Sequence, residues 1–390
     1  MRLTALVRNE NSSAPSTGVP DSCCQWRPER KLFRITRQVP PGSVACVSVA
    51  HRQSVPHNQS NAISATRVAH GVEFVFMVNG SSRRPLLVTG SPRSGSTWVG
   101  RMLAASPELY YVHEPFNPSC SGRDDLGRLR FTQHFTYITS ENESTYRPGV
   151  QRILEGRYDL LHALLSCRRR SQLRTVLANR KAFADRRRDG IVPLIKDPIA
   201  LMSAGWLARS FGLQCVVTIR HPGAFVASIK RLGWDSKPFN WALSQPLLMR
   251  DFLQPFEAEL RELETGDSDV IERAAMAWKL HHYVIKQYKD TFDDWIFLRH
   301  EDISQDPVEQ FRRVYEKLSL TWTDKVEETI RSHSSSTNPK EAEGKDKPLH
   351  LDSRAAAHGW KDRLEADEVE RIRARVDGVV QAFYGDSEWL

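Results

Sequence analysis

Five short apolar runs occur from residue 83 onward, each bounded by glycine, proline or charged residues. They cover residues 85–90, 109–112, 191–197, 214–222 and 295–302. Runs of this length with such flanks are typical of buried strands. Segments with helical periodicity separate them, including residues 96–106 and the leucine- and arginine-bearing stretch 150–188. Strands alternating with helices predict an α/β fold, with a parallel sheet and helices on both faces.

The first 82 residues lack this pattern. They are rich in Ser, Pro, Asn and Arg, and they contain nine basic and four acidic residues. Without sustained apolar periodicity they cannot bury a core, so we expect a disordered extension at 1–82 and one folded domain at 83–390. Three explanations stay open: a functionless tail, an organellar transit peptide, or an incorrect start with Met77 as the true one. The apolar patch at 71–78 could still add an edge strand.

Composition excludes several classes of protein. A chain of 390 residues with 40% hydrophobic and 26% charged residues is ordinarily globular. The net charge is +8, but residues 83–390 contribute only +3, which argues against a broad nucleic-acid surface. The six cysteines form no C-x-x-C pair and no zinc spacing, so we expect a reducing, cytoplasmic compartment. No run of 18 apolar residues occurs that would span a membrane.

The stretch TGSPRSGSTWVG (89–100) has the features of a phosphate-binding loop. Gly90 and Gly95 have Walker A spacing, and Thr97 holds the final hydroxyl position. The Walker lysine is absent, because Ser96 stands in its place, and the cation within the loop is Arg93. A loop that joins a buried strand to a helix amino terminus presents backbone N–H groups and a positive dipole, which predicts an anion site. The alternative is an ordinary Ser/Gly turn that caps the helix.

Charged residues follow each of the other predicted strands. They are Glu114, Lys196, Arg220 and Arg299. Ligands collect at the carboxyl ends of parallel strands, so these side chains should approach the loop. Ser228 lies eight residues beyond Arg220, within the next predicted helix. Two anion sites, without a Walker lysine or an acidic metal ligand, indicate a nucleotide with phosphate at two places that needs no Mg²⁺.

These motifs resemble the sulfotransferase family. PRSGSTW (92–98) looks like that family's 5′-phosphosulfate loop, and Arg220 with Ser228 is similar to its 3′-phosphate pair. The segments at 272–285, 297–320 and 358–364 follow in the family's order, so the resemblance spans about 83–385. It implies a P-loop nucleotide-hydrolase-like sulfotransferase fold, 3′-phosphoadenosine 5′-phosphosulfate (PAPS) as co-substrate, its product PAP, and no metal. The residues implied in donor binding are Arg93, Ser94, Gly95, Ser96, Thr97, Trp98, Arg220, Ser228, Gly359, Trp360 and Lys361.

The branch of the family bears on the catalytic base. Cytosolic members commonly have a lysine in the loop and a catalytic histidine after K-T-H, whereas this chain has Arg93 and Lys196-Asp197-Pro198. The pattern is closer to the tyrosylprotein- and sugar-sulfating branches, which use a glutamate. The resemblance thus implies Glu114 as base of an in-line transfer, with Arg93 and Lys196 stabilising developing charge. Whether His113 or Asp197 assists Glu114 stays open, although Asp197 is better interpreted as orienting the loop.

Three later features have two interpretations each. Trp360 could cover the donor nucleotide or pack in the core. The aromatic residues of segment 233–246 could form an acceptor wall or pack as a loop. The polar segment 332–353 is long for an internal loop and could be a mobile lid.

The sequence names neither the acceptor nor the oligomeric state. A carbohydrate or glycolipid hydroxyl is favoured, and a peptide tyrosine or a small alcohol remains open. Two rival classes also remain, namely a P-loop kinase or triphosphatase and a non-catalytic nucleotide-binding protein.

Overall fold

The computed structural model describes residues 83–120, 129–167, 170–234, 239–266, 268–339, 350 and 352–389. The extension expected at 1–82 and the apolar patch at 71–78 lie outside the described residues. So does most of the lid expected at 332–353.

Five parallel strands form the sheet, in the order β2-β3-β1-β4-β5. The strands are β1 (Leu86–Gly90), β2 (Leu109–His113), β3 (Val192–Lys196), β4 (Gln214–Ile219) and β5 (Ile296–Arg299). The last is shorter than expected, because a helix begins at His300. The predicted α/β fold with a parallel sheet is confirmed.

Helices connect and cover the strands. The described residues form α1 (Ser96–Leu103), α2 (Arg147–Leu154), α3 (Leu160–Ser166), α4 (Arg170–Arg188), α5 (Ala204–Phe211), α6 (Pro222–Leu232), α7 (Asn240–Leu243), α8 (Pro246–Leu248), α9 (Glu257–Thr265), α10 (Val270–Thr291), α11 (His300–Gln305), α12 (Pro307–Lys317), α13 (Asp324–Ser334), α14 (Ser353–His358) and α15 (Ala366–Val376). The stretch 150–188 is therefore not one helix. It breaks at Gly156, whose φ of 59° ends α2, and restarts where the Asp159 carboxylate accepts the backbone N–H of His162.

The sheet has a hydrophobic core on each face. Successive strand residues point to opposite faces, so Leu87 packs with α5, α6 and α10, while Leu86 and Val88 pack with α1 and α12. Both faces are thus covered by helices, as predicted. The carboxyl ends of the strands lie at the common edge where β1 runs into α1 and β4 runs into α6.

Candidate functional site

The loop between β1 and α1 has an unusual backbone. Arg93 has a φ of 66° and Gly95 a φ of 90°, both in the left-handed region. A non-glycine residue rarely adopts this conformation, and where it does the surrounding contacts impose it. Here the Ser94 hydroxyl donates to the carbonyl of Ser91 at 2.6 Å and lies 2.6 Å from the Thr218 hydroxyl. The Ser94 side chain therefore holds the loop against β4.

Gly95 has a specific steric role. A Cβ atom there would lie 2.6 Å from Nδ1 of His300. The His300 ring is buried at 8% exposure, and its centroid lies 5.7 Å from that of Trp98. Only glycine allows the loop to approach this imidazole so closely.

The remaining loop residues divide between site and core. Ser96 is buried and Thr97 half-buried at the start of α1, next to the loop. The Trp98 ring instead packs edge-on against Phe311, 5.5 Å away, within the hydrophobic core. These contacts pack the Trp98 ring in the core, and its predicted contact with the donor stays a prediction.

Three residues predicted to bind anions come together beside the loop. The Arg93 guanidinium donates through Nε to the Ser228 hydroxyl at 3.0 Å. Arg220 donates to the backbone carbonyl of Arg93 at 2.7 Å and to that of Ala356 at 3.1 Å. Because Pro222 starts α6 two residues beyond Arg220, Ser228 returns to the same place on the second turn of that helix. Arg220 and Ser228, which were predicted to act together at a 3′-phosphate, thus each contact Arg93.

Several buried polar groups near the loop have no hydrogen-bond partner within the described part of the chain. They include Nε of Arg220 and both ring nitrogens of His300. Burial and the neighbouring Arg220 charge hold the pKa of His300 well below its usual value, so the imidazole is neutral near pH 7. Leaving such groups unpaired costs about 1–3 kcal/mol each. An anion bound between the loop and Arg220 would accept from Arg220 Nε and from the one His300 nitrogen that carries a proton.

On the other side of the loop, Glu114 and Lys196 form a buried ion pair. The Lys196 ammonium donates to Oε1 of Glu114 at 2.5 Å, and both side chains are at most 8% exposed. The Asn117 amide donates to the second carboxylate oxygen at 2.7 Å. Glu114 has a φ of 42°, and its backbone N–H donates to the Lys196 carbonyl at 2.9 Å, which continues the β2–β3 pairing by one residue.

This pair determines the protonation of the carboxylate. Burial alone would raise the pKa of Glu114, but the Lys196 charge, the nearby His113 and the hydrogen bonds from Lys196 and Asn117 lower it well below its usual value. Glu114 is therefore an anion at neutral pH. His134, which sequence reasoning missed, is close enough to feel the Glu114 charge; burial nevertheless lowers its pKa. Its place in an irregular segment gave no sequence signal.

Asp197 holds the segments around the pair in place. Its fully buried carboxylate accepts backbone N–H groups from Phe116 at 2.6 Å and from Ile199 at 2.9 Å. Burial and the Glu114 charge raise the pKa of Asp197, to about 8. These bonds tie the segment after β2 to the segment after β3, which supports the interpretation of Asp197 as an orienting residue.

The Gly359-Trp360-Lys361 element follows α14. Trp360 is buried at 4% exposure and stacks on His221, with ring centroids 4.7 Å apart. A Cβ atom on Gly223 would lie 2.6 Å from the indole, so the ring covers the first turn of α6. Of the two interpretations of Trp360, core packing is the one these contacts support. Lys361 is exposed, with its ammonium 5.8 Å from the Trp360 ring.

The aromatic residues predicted to line an acceptor wall have different environments. Trp234 lies beside the site, since the Arg93 guanidinium sits 5.7 Å from its ring centroid. Trp241 packs on Phe135 and His281, and Phe239 is buried. The Arg299 guanidinium contacts Glu388 and the Tyr384 ring.

Among the described residues, one group could offer ligands to a metal ion. His113, Glu114 and Cys120 bring ligand atoms within 4.8 Å of one another. Lys196 and Asn117 already occupy both Glu114 oxygens.

Comparison with known proteins gives a consistent pattern. The family model described as "Sulfotransferase family" matches residues 85–324. Carbohydrate sulfotransferase 1 of Danio rerio is 22% identical over 340 residues, which covers 76% of each chain.

Two solved structures are also similar. Sulfotransferase STF9 from Mycobacterium avium is 16% identical, with 77% of each chain covered and a TM-score of 0.37. Mouse sulfotransferase SULT7A1 complexed with PAP is 11% identical, with 79% of this chain and 90% of that chain covered and a TM-score of 0.37. Across the described residues, no helix has the length and apolar character that crossing a membrane requires.

Proposed function

The chain belongs to the sulfotransferase family, and from that premise we propose that it transfers a sulfuryl group from PAPS to an acceptor hydroxyl, with Glu114 as the general base. The observation that carries the proposal is the buried Lys196–Glu114 pair at 2.5 Å, at the strand ends beside the loop between β1 and α1. A buried carboxylate and a buried ammonium in contact are the base and the electrophilic group that such a transfer needs.

The chemistry assigns one task to each member of the pair. As the acceptor oxygen attacks sulfur, its proton passes to Glu114 and the bond from sulfur to the bridging phosphate oxygen breaks. Lys196 stabilises the negative charge that grows on the transferred group and the leaving phosphate. When the ammonium turns toward this charge, Glu114 loses the contact that lowers its pKa, so its basicity increases at the moment when it must accept a proton.

The donor nucleotide would lie on the other side of the loop. Backbone N–H groups at the start of α1, together with Ser96 and Thr97, suit the 5′-phosphosulfate. Arg220 and Ser228 suit the 3′-phosphate, with the neutral His300 as a further hydrogen-bond donor. Arg93 lies between the two groups, and its exposed, forked guanidinium suits the sulfuryl oxygens.

For the acceptor, we propose a carbohydrate or glycolipid hydroxyl. The matched relative is a carbohydrate sulfotransferase by name, and Trp234 presents an aromatic face beside Arg93, a surface that suits a sugar ring. A peptide tyrosine is the second candidate, because the same face suits a phenol. The cytoplasmic location remains a prediction from composition.

The test is sulfate transfer from labelled PAPS to a panel of sugars, glycolipids, tyrosine peptides and small alcohols. Wild type and Glu114→Gln are compared, with Glu257→Gln as a control at a carboxylate of α9 whose side chain is 44% exposed. Because general-base help is worth about 10²- to 10⁴-fold, Glu114→Gln should lose that much turnover and still bind PAP, while the control is unchanged.

Two results would contradict the proposal. Full turnover by Glu114→Gln would remove the base assignment. Failure to bind PAP, combined with phosphate transfer from ATP and Mg²⁺, would favour the kinase class.

A further inference from the structure

Helices α3 and α4 carry a group of solvent-exposed leucines. Their exposed fractions are 60% for Leu161, 39% for Leu164, 75% for Leu165, 40% for Leu173 and 57% for Leu177. Isolated exposed leucines are ordinary, but five on two consecutive helices are the kind of apolar surface found at binding sites. We refer to these five residues as the leucine patch.

Helices α3 and α4, which carry the patch, are packed against the rest of the domain. Ala163 on α3 and Val176 on α4 are fully buried, so each helix already turns one side inward. Phe183 anchors the later part of α4 with ring centroids 6.0 Å from Tyr110, a residue of the edge strand β2, and 5.3 Å from Tyr158. The leucines therefore point to solvent from helices that are attached to the domain.

Basic residues accompany the patch on α4. Helix α4 has seven basic residues and one acidic residue, Asp185, which pairs with Lys181 and Arg188. Arg174 and Arg180 are exposed, and within the described ranges neither has an acidic partner. At about 100° per residue, Leu173, Leu177 and Arg180 fall within about 60° of one another on the helix surface. One face of α4 thus combines apolar side chains with uncompensated positive charge.

We propose that this face binds the surface of an anionic lipid bilayer. Leucine side chains enter the headgroup boundary, and the flanking guanidinium groups contact lipid phosphates. The charge argues against a second copy of this chain as the occupant, because two α4 helices would repel each other. The leucines argue against an acidic polysaccharide as the occupant, because a polysaccharide has no apolar surface to cover them. The proposal does not depend on the sulfotransferase reaction.

Co-sedimentation of the full chain with vesicles tests this. One set contains equal amounts of phosphatidylserine and phosphatidylcholine, and the other contains phosphatidylcholine alone. The variants are Leu165→Ser with Leu177→Ser, and Arg174→Gln with Arg180→Gln. The control for the leucine variant is Leu232→Ser, at a leucine of α6 that is 38% exposed. The control for the arginine variant is Arg313→Gln with Arg331→Gln, on α12 and α13, which changes the net charge by the same amount.

Wild type should bind the anionic vesicles and bind phosphatidylcholine alone far more weakly. The arginine variant should lose about 25-fold in partition coefficient, since each basic side chain near an anionic surface contributes about fivefold. The leucine variant should lose at least about tenfold. Both controls should bind as wild type, and all variants should unfold at the wild-type temperature.

Three results would overturn the proposal. Equal binding by wild type and both patch variants would place any lipid contact elsewhere, for example in residues 1–82. A leucine-dependent dimer without vesicle binding would make the patch a contact between copies. Heparin retention that depends on the arginines but not on the leucines, again without vesicle binding, would identify a polysaccharide surface.

Discussion

The Lys196–Glu114 pair should couple strongly in a double-mutant cycle. Lys196 is fully buried and Glu114 is 6% exposed, so removal of either partner leaves the other as an uncompensated buried charge. Lys196→Met and Glu114→Gln should each cost about 3–5 kcal/mol of unfolding free energy. The double variant should recover most of this loss, because a buried pair replaced by neutral groups of similar size is often close to neutral.

Thermal unfolding at neutral pH measures the effect. With an unfolding entropy of about 2.1 cal/mol/K per residue over about 300 residues, each single variant should lower Tm by about 5–8 °C. The double variant should unfold within a few degrees of wild type. A double variant whose Tm loss equals the two single losses together would refute the reasoning, since the groups would then not interact.

A pH series checks the sign. The folded-state pKa of Glu114 lies below its ordinary value of 4.5, so the stability contributed by the ionised carboxylate is present above that pH and is lost as the pH falls below it. The stability difference between wild type and Glu114→Gln should therefore be full at neutral pH and shrink in acid. A difference that stays constant into acid would contradict the assigned ion pair.

Three further substitutions test the donor side. Gly95→Ala places a Cβ 2.6 Å from His300 at a φ of 90°, so calorimetry should show PAP affinity reduced at least about tenfold; unchanged affinity would show that the loop is not the phosphate site. Arg220→Gln should weaken PAP about 10- to 100-fold and adenosine 5′-phosphate much less, because a charge-assisted hydrogen bond to the 3′-phosphate is lost. Equal loss for both nucleotides would argue against that contact. Trp360→Ala should cost about 3–5 kcal/mol of stability, read from Tm, because a buried indole stacked on His221 is removed; an unchanged Tm with weaker PAP binding would instead support a nucleotide-covering role.

Much of the fold was predictable because each strand is a short apolar run with clear flanks. All five predicted strands occur, and the charged residues after β2, β3 and β4 lie at one edge, as parallel pairing requires. The break at Gly156 was missed, because leucines continue at helical spacing on both sides of it. The sequence did not predict that β5 ends at Arg299. Apolar content alone gives no sign that a helix begins at His300.

The side-chain partners could not be predicted from motifs. The sequence predicts Arg93, Ser228 and Arg220 as anion ligands, but it does not predict that Arg93 bonds Ser228 while the Arg93 carbonyl accepts from Arg220. The contact between Gly95 and His300 joins residues 205 positions apart, and no local pattern encodes such a distance. The roles of all these residues in catalysis and donor binding remain predictions.

The sheet order bears on the proposal that a loop without a Walker lysine holds a multiply charged donor. Strand β1 lies between β3 and β4, so the loop that follows it has Lys196 on one side and Arg220 on the other. The loop itself then needs to supply only N–H groups, hydroxyls and Arg93. Because β2 pairs with the far side of β3, Glu114 contacts Lys196 and is separated from Arg220 by the loop. The topology therefore places the groups proposed for proton and sulfuryl transfer on one side and those proposed to anchor the nucleotide on the other, and variants of the two sides should affect turnover and PAP affinity independently.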